Sequence, residues 1–164
     1  MPRTWQFDPS YTTVEFSFSK FAFFTVKGSF DQIEGVISED GSDVTQSSVT
    51  ARIKVDSLKT GSKARDAELQ GASFLDATSF PEIQFSSTSV KRGQDRDMFD
   101  VSGVLLVKGK SQPIKLTVSE MDRSRSPKGE EFVYYSATTQ LDLLGRQLKL
   151  AINVQAILAT GEQG

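Results

Sequence analysis

Apolar and polar residues alternate one for one along most of this chain, and that habit leaves few folds open to it. Val14, Phe16 and Phe18 are interleaved with Glu15, Ser17 and Ser19. Val49, Ala51, Ile53 and Val55 are interleaved with Thr50, Arg52, Lys54 and Asp56, and Ile114, Leu116 and Val118 with Lys115, Thr117 and Ser119. The longest register is Leu148, Leu150, Ile152, Val154, Ala156 and Leu158, set against Lys149, Asn153 and Gln155. Successive side chains of a strand point to opposite faces, so each segment reads as a strand with one dry and one wet face. Weaker strands fit Thr4–Phe7, Thr25–Ile37, Ile83–Val90, Met98–Val107 and Phe132–Leu143, giving about eight or nine in all.

The connections carry turn chemistry. Asp40-Gly41-Ser42, Lys91-Arg92-Gly93, Lys108-Gly109-Lys110, Pro127-Lys128-Gly129 and Leu144-Gly145-Arg146 punctuate the strand pairs. Short antiparallel strands joined by tight turns predict an all-β sandwich or barrel, and no linker or repeat divides residues 1–164. The expectation is one closed, antiparallel, lipocalin-like barrel of about eight strands. One segment departs from the rhythm. Ser62 as N-cap and Gly71 as stop predict a short helix, followed by Phe74-Leu75 and Phe80-Pro81. This excursion joins the fourth and fifth strands, and the mouth of the barrel is what it is expected to cover.

A barrel of this size either fills its bore with its own side chains or holds one small ligand. The chain has twelve phenylalanines, and Phe16, Phe18, Phe21, Phe23, Phe24 and Phe30 crowd into one stretch. Phe21-Ala22-Phe23-Phe24 cannot lie on a single face of a strand. These rings read either as core and edge cover or as the lining of an apolar tunnel. On the tunnel reading the candidate lining is those six together with Ile53, Phe74, Leu75, Phe85, Tyr135, Leu150 and Ile152. Lys20, Arg65 and Asp66 are candidates for a headgroup or rim role, with pinning of the helix as the alternative for Arg65-Asp66.

Other chemistries have little to stand on. With no histidine and no cysteine, zinc, copper, haem and iron–sulfur centres lose their usual ligands, and Ser-His and Cys-His nucleophile pairs are excluded. No metal, no cofactor and no catalytic residue is expected. The formal charge of −2 supplies no basic field for nucleic acid. Asp40, Asp43, Asp95, Asp97 and Asp100 match no EF-hand spacing and read as turn residues. Arg123, Arg125 and Lys128 form either a solvated hairpin or a basic loop for transient contact with anionic lipid heads. No apolar run is long enough for a membrane span. Met-Pro-Arg-Thr-Trp-Gln-Phe carries no signal pattern, so the expected place is the cytoplasm, or the periplasm for a chain already trimmed of its leader.

Several short motifs together resemble the YceI-like family of lipocalin-like polyisoprenoid-binding proteins. They are Trp5-Gln6-Phe7-Asp8, Val14-Glu15-Phe16, Thr25-Val26-Lys27-Gly28-Ser29-Phe30 with Gly35, and Asp56-Ser57-Leu58-Lys59-Thr60. Arg65-Asp66-Ala67-Glu68-Leu69, Phe74-Leu75-Asp76 and Phe80-Pro81-Glu82-Ile83-Gln84-Phe85-Ser86-Ser87-Thr88 follow in order, then Val101-Ser102-Gly103-Val104-Leu105, Gly109 and Ile114-Lys115-Leu116. The resemblance implies a barrel that binds an isoprenoid quinone or another long amphiphile without catalysis, for carriage, storage or scavenging, and commonly as a homodimer. A stress-related or protein-interaction module with a filled bore is the alternative. The chain departs from the family where histidines are usual, having Tyr11-Thr12, Lys20 and Glu68 instead, and its Leu141–Gln147 hairpin is tight.

Overall fold

The alternating segments all form strands, and their pairings close on themselves. In the computed structural model, which describes residues 2–20 and 24–159, the strands are β1 (Arg3–Phe7), β2 (Thr13–Lys20), β3 (Phe24–Phe30), β4 (Ile33–Glu39), β5 (Ser48–Lys54) and β6 (Leu58–Lys59). After helix α1 (Lys63–Gln70) come β7 (Glu82–Arg92), β8 (Met98–Val107), β9 (Lys110–Arg125), β10 (Glu131–Leu143) and β11 (Arg146–Leu158). All pairings are antiparallel, and β1 pairs with β11 to shut the barrel. The result is a closed eight-strand barrel with one short helix.

Eleven segments occupy eight positions because three strands are broken in the middle. β11 pairs with β1 through Ala156–Leu158 and with β2 through Leu148–Asn153. Likewise β3 pairs with β2 and β6, whereas β4 pairs with β1 and β5. The expected Thr25–Ile37 strand is therefore two, interrupted at Asp31 and Gln32. Each break reverses the inward phase. Phe30 and Ile33 are both buried, as are Val55 and Leu58, although neither pair keeps an even spacing. Backbone bonds carry the wall across these breaks: Asp8 N–H to Gln155 O at 2.7 Å, Lys54 N–H to Gln32 O at 3.0 Å and Val55 N–H to Pro81 O at 2.9 Å.

Two aromatic rings of the wall press against glycines. A Cβ at Gly28 would stand 2.4 Å from the Phe16 ring, and one at Gly103 would stand 2.5 Å from the Phe85 ring. Only hydrogen fits there, which lets both aromatics lean along the wall. Gly103→Ala should therefore push Phe85 into the bore and cost about 1–3 kcal/mol. A urea titration with a lowered midpoint and unchanged slope checks this.

The excursion covers one end, as expected, though by small means. Ser62 caps α1 by accepting from Arg65 N–H at 3.3 Å, and Leu69 and Leu75 are buried in the core with Phe16, Phe18 and Phe30. Lys108 Nζ, on the β8–β9 turn, donates to Ala72 O at 2.9 Å, and the Arg146 guanidinium lies over the rings of Phe18 and Phe74. We call this the closed end. The other end carries the β4–β5, β7–β8 and β9–β10 connections.

Candidate ligand-binding bore

The dry faces enclose two apolar cavities in line. The larger, about 160 Å³, lies toward the end with the β4–β5 connection and is walled by residues including Phe7, Ile37, Val49, Phe85, Phe99, Val118, Ala137 and Ile152. The smaller, about 50 Å³, lies under the excursion and is walled by residues including Phe16, Phe18, Phe30, Leu69, Phe74, Leu75 and Leu148. Val14, Ile53, Leu105 and Leu150 line both, so they form the waist of one bore.

The expected lining residues distribute along this bore. Phe16, Phe18, Phe30, Phe74 and Leu75 wall the closed end, and Phe85, Tyr135 and Ile152 wall the wider end. Ile53 and Leu150 stand at the waist. Phe24 is a correction: at 68% exposure it lines neither cavity, because it sits at the end of the β2–β3 ladder, beyond the covered part of the barrel. Phe21 and Phe23 lie outside the described residues, as does the side chain of Lys20.

Of the two readings of Arg65-Asp66, the hydrogen bonds fit the pinning of the helix. Arg65 is exposed, and Asp66 Oδ1 accepts from Thr60 N–H at 2.7 Å and from its hydroxyl at 2.6 Å. Asp66 therefore pins α1 to the end of β6, and neither residue lines a cavity. The polar side chains on the wall are instead Glu39, Ser47 and Tyr135, all in the larger cavity. Glu39 had a legible signal: it continues the inward phase of Ile33, Gly35 and Ile37, one step beyond the expected end of that strand.

A buried aromatic holds Glu39 in place. Trp5, 1% exposed, donates from Nε1 to Glu39 Oε1 at 3.0 Å. Arg123 Nη2 pairs with Glu39 Oε2, while Arg123 also forks onto Glu120 at 2.9 and 3.0 Å. The guanidinium lies 5.5 Å from the Trp5 ring centroid, and that of Arg3 lies 5.1 Å away. The Glu120 carboxylate, and then Glu39, hold the Arg123 proton more tightly than usual. Burial, and then the negative charge of Glu39, push the Tyr135 phenol well above its ordinary range. Tyr135 thus stays a neutral hydroxyl, able to donate and accept. Of the three basic residues read as a solvated hairpin or a basic loop, Arg123 and Arg125 are held in ion pairs, Arg125 with Glu131 at 3.6 Å, and Lys128 is exposed.

Arg3 Nη2 also meets Glu131 at 2.8 Å, tying the start of β1 to the start of β10. The Arg3 hydrogen bond holds the Glu131 carboxyl below its ordinary value near 4.5. A carboxyl lowered on folding adds stability above its unfolded value, and that contribution is lost as pH falls through the folded one. Glu131→Gln should therefore be less stable than the parent at neutral pH, and the two should converge in acid. Denaturant midpoints across an acid titration check this.

The YceI-like domain family matches residues 5–156. A UPF0312 protein of Pseudomonas putida is 30% identical over 130 residues, 79% of this chain and 67% of its own length. The protein YceI of Salmonella newport is 26% identical over 155 residues, 88% of this chain and 80% of its own. Burkholderia cenocepacia BcnA shares the fold at a TM-score of 0.76 and 17% identity, over 93% of this chain and 99% of BcnA. A polyisoprenoid-binding domain from Saccharophagus degradans does so at 0.68 and 12%, over 94% of this chain and 98% of its own. With its barrel, its motifs and the match spanning nearly the whole described chain, this protein belongs to the YceI-like domain family.

Proposed function

We propose that this protein binds a long-chain isoprenoid, such as an isoprenoid quinone, with the tail threaded along the bore, and that it carries, stores or scavenges this guest without transforming it. The observation that supports the reading is the in-line pair of cavities, walled almost entirely by hydrocarbon and joined at a four-residue waist. Each buried methylene contributes about 0.8 kcal/mol, so tail length alone can supply affinity. The polyisoprenoid binding of the Saccharophagus degradans domain points the same way. A tail longer than the larger cavity must displace the waist side chains, of which Leu105 and Leu150 have more rotamer freedom than the β-branched Val14 and Ile53.

Filling the bore tests the reading. Ala51 lines the larger cavity in phase with Val49 and Ile53. Ala51→Phe places a ring where the tail would lie, in existing space. Affinity for a fluorescent isoprenoid should fall at least about tenfold, or about 1.4 kcal/mol, while the melting temperature changes little. Unchanged affinity in a folded variant would mean that the tail binds elsewhere.

A further inference from the structure

We infer that the bore selects the head of its guest as well as the tail: Glu39, with Tyr135 and Ser47, accepts a neutral, hydroxyl-bearing head and rejects carboxylates and phosphates. The inference rests on the tail-binding reading above and adds an orientation to it, head toward the β4–β5 connection and tail toward Phe74 and Leu75. Among the described residues, Glu39 is the one charged side chain on the wall of the bore, and the smaller cavity has no polar side chain. A polar head placed at the closed end would be buried without a partner, which is costly. At the Glu39 end it meets a carboxylate acceptor and a phenol that remains protonated.

The charge arrangement then decides which heads fit. Arg123 is the cation beside Glu39, but its guanidinium is already shared among Glu39, Glu120 and the Tyr135 hydroxyl, and it does not line the cavity. Arg3 is paired with Glu131. Glu39 is further fixed by Trp5 Nε1, so it cannot swing away to make room. An anionic head would meet the Glu39 carboxylate across an apolar, low-dielectric space, where like charges repel strongly. An alcohol or quinol would donate to Glu39 and accept from Tyr135. Ser47 Oγ accepts from Asp40 N–H at 3.0 Å, which orients its own proton as a further donor.

Three ligands with one tail separate head from tail: geranylgeraniol, geranylgeranoic acid and geranylgeranyl phosphate, titrated into the purified protein by fluorescence displacement at neutral pH. The alcohol should bind at least about tenfold more tightly than either anion. Glu39→Gln should narrow that gap chiefly by improving the two anions, and Tyr135→Phe should weaken the alcohol several-fold while leaving the anions as they were. Equal binding of all three by the parent protein overturns the head selection and leaves tail binding standing. Failure of all three to bind overturns tail binding itself. A gap of unchanged size in folded Glu39→Gln removes Glu39 from the mechanism. The parent series is decisive even where a variant fails to fold.

Discussion

Replacing Trp5 with alanine should cost about 3–5 kcal/mol of stability, the range for emptying a large aromatic site in a packed core. Trp5 anchors a cluster of its own with Val133, Val154 and Ala156, next to the main core. It lies where β1 closes the barrel, paired on one side with Leu158 of β11 and on the other with Ile37 of β4. The loss is more than a cavity. Glu39 gives up a hydrogen bond, and the two arginines that lie against the ring lose their platform. Chemical denaturation followed by circular dichroism measures the change. Trp5→Phe keeps the apolar bulk but not the N–H, so it should recover most of the stability while loosening Glu39. A cost for alanine below about 1 kcal/mol would show that the seam does not depend on this residue.

Ile152→Arg should be comparably severe, because it drives a guanidinium into the apolar bore. Ile152 packs against both core clusters and lines the larger cavity. A charge buried there without a partner costs about 3–5 kcal/mol. Its neighbour Asn153 is exposed on the opposite face of the same strand, and Asn153→Arg should stay within about 0.5 kcal/mol of the parent. Melting curves of the two variants side by side test the phase of β11. Equal effects would mean that the strand is turned the other way.

Alternation made the strands legible because each has one face against hydrocarbon and one against water. It failed where the wall breaks. Thr25–Ile37 reads as one strand because both halves alternate well, and only the shift from even positions (Val26, Phe30) to odd ones (Ile33, Ile37) marks the kink. The same shift separates Trp5 from Val14 and Val55 from Leu58. The closed-end lining was legible, since Phe16, Phe18 and Phe30 fall on the dry phase, and Phe74 and Leu75 are bulky residues of the excursion that carries the helix. Phe24 misled because aromatic crowding says nothing about where a barrel's cover ends. Arg65-Asp66 is conspicuous in sequence and left both a rim role and helix pinning open, whereas Glu39 becomes informative only with its phase. Its partners Trp5 and Arg123 lie 34 and 84 positions away, a closeness that strand pairing creates and local pattern does not reveal.

Methyl NMR of the protein titrated with geranylgeraniol shows directly whether a tail enters the bore. Methyls of Val14, Ile53, Leu105, Leu150 and Ile152, which wall the bore, should shift together at one-to-one stoichiometry. Those of Val36 and Val104, which are exposed on the outer face, should hold still. Shifts confined to the outer face, or none at all at saturating ligand, would contradict binding in the bore.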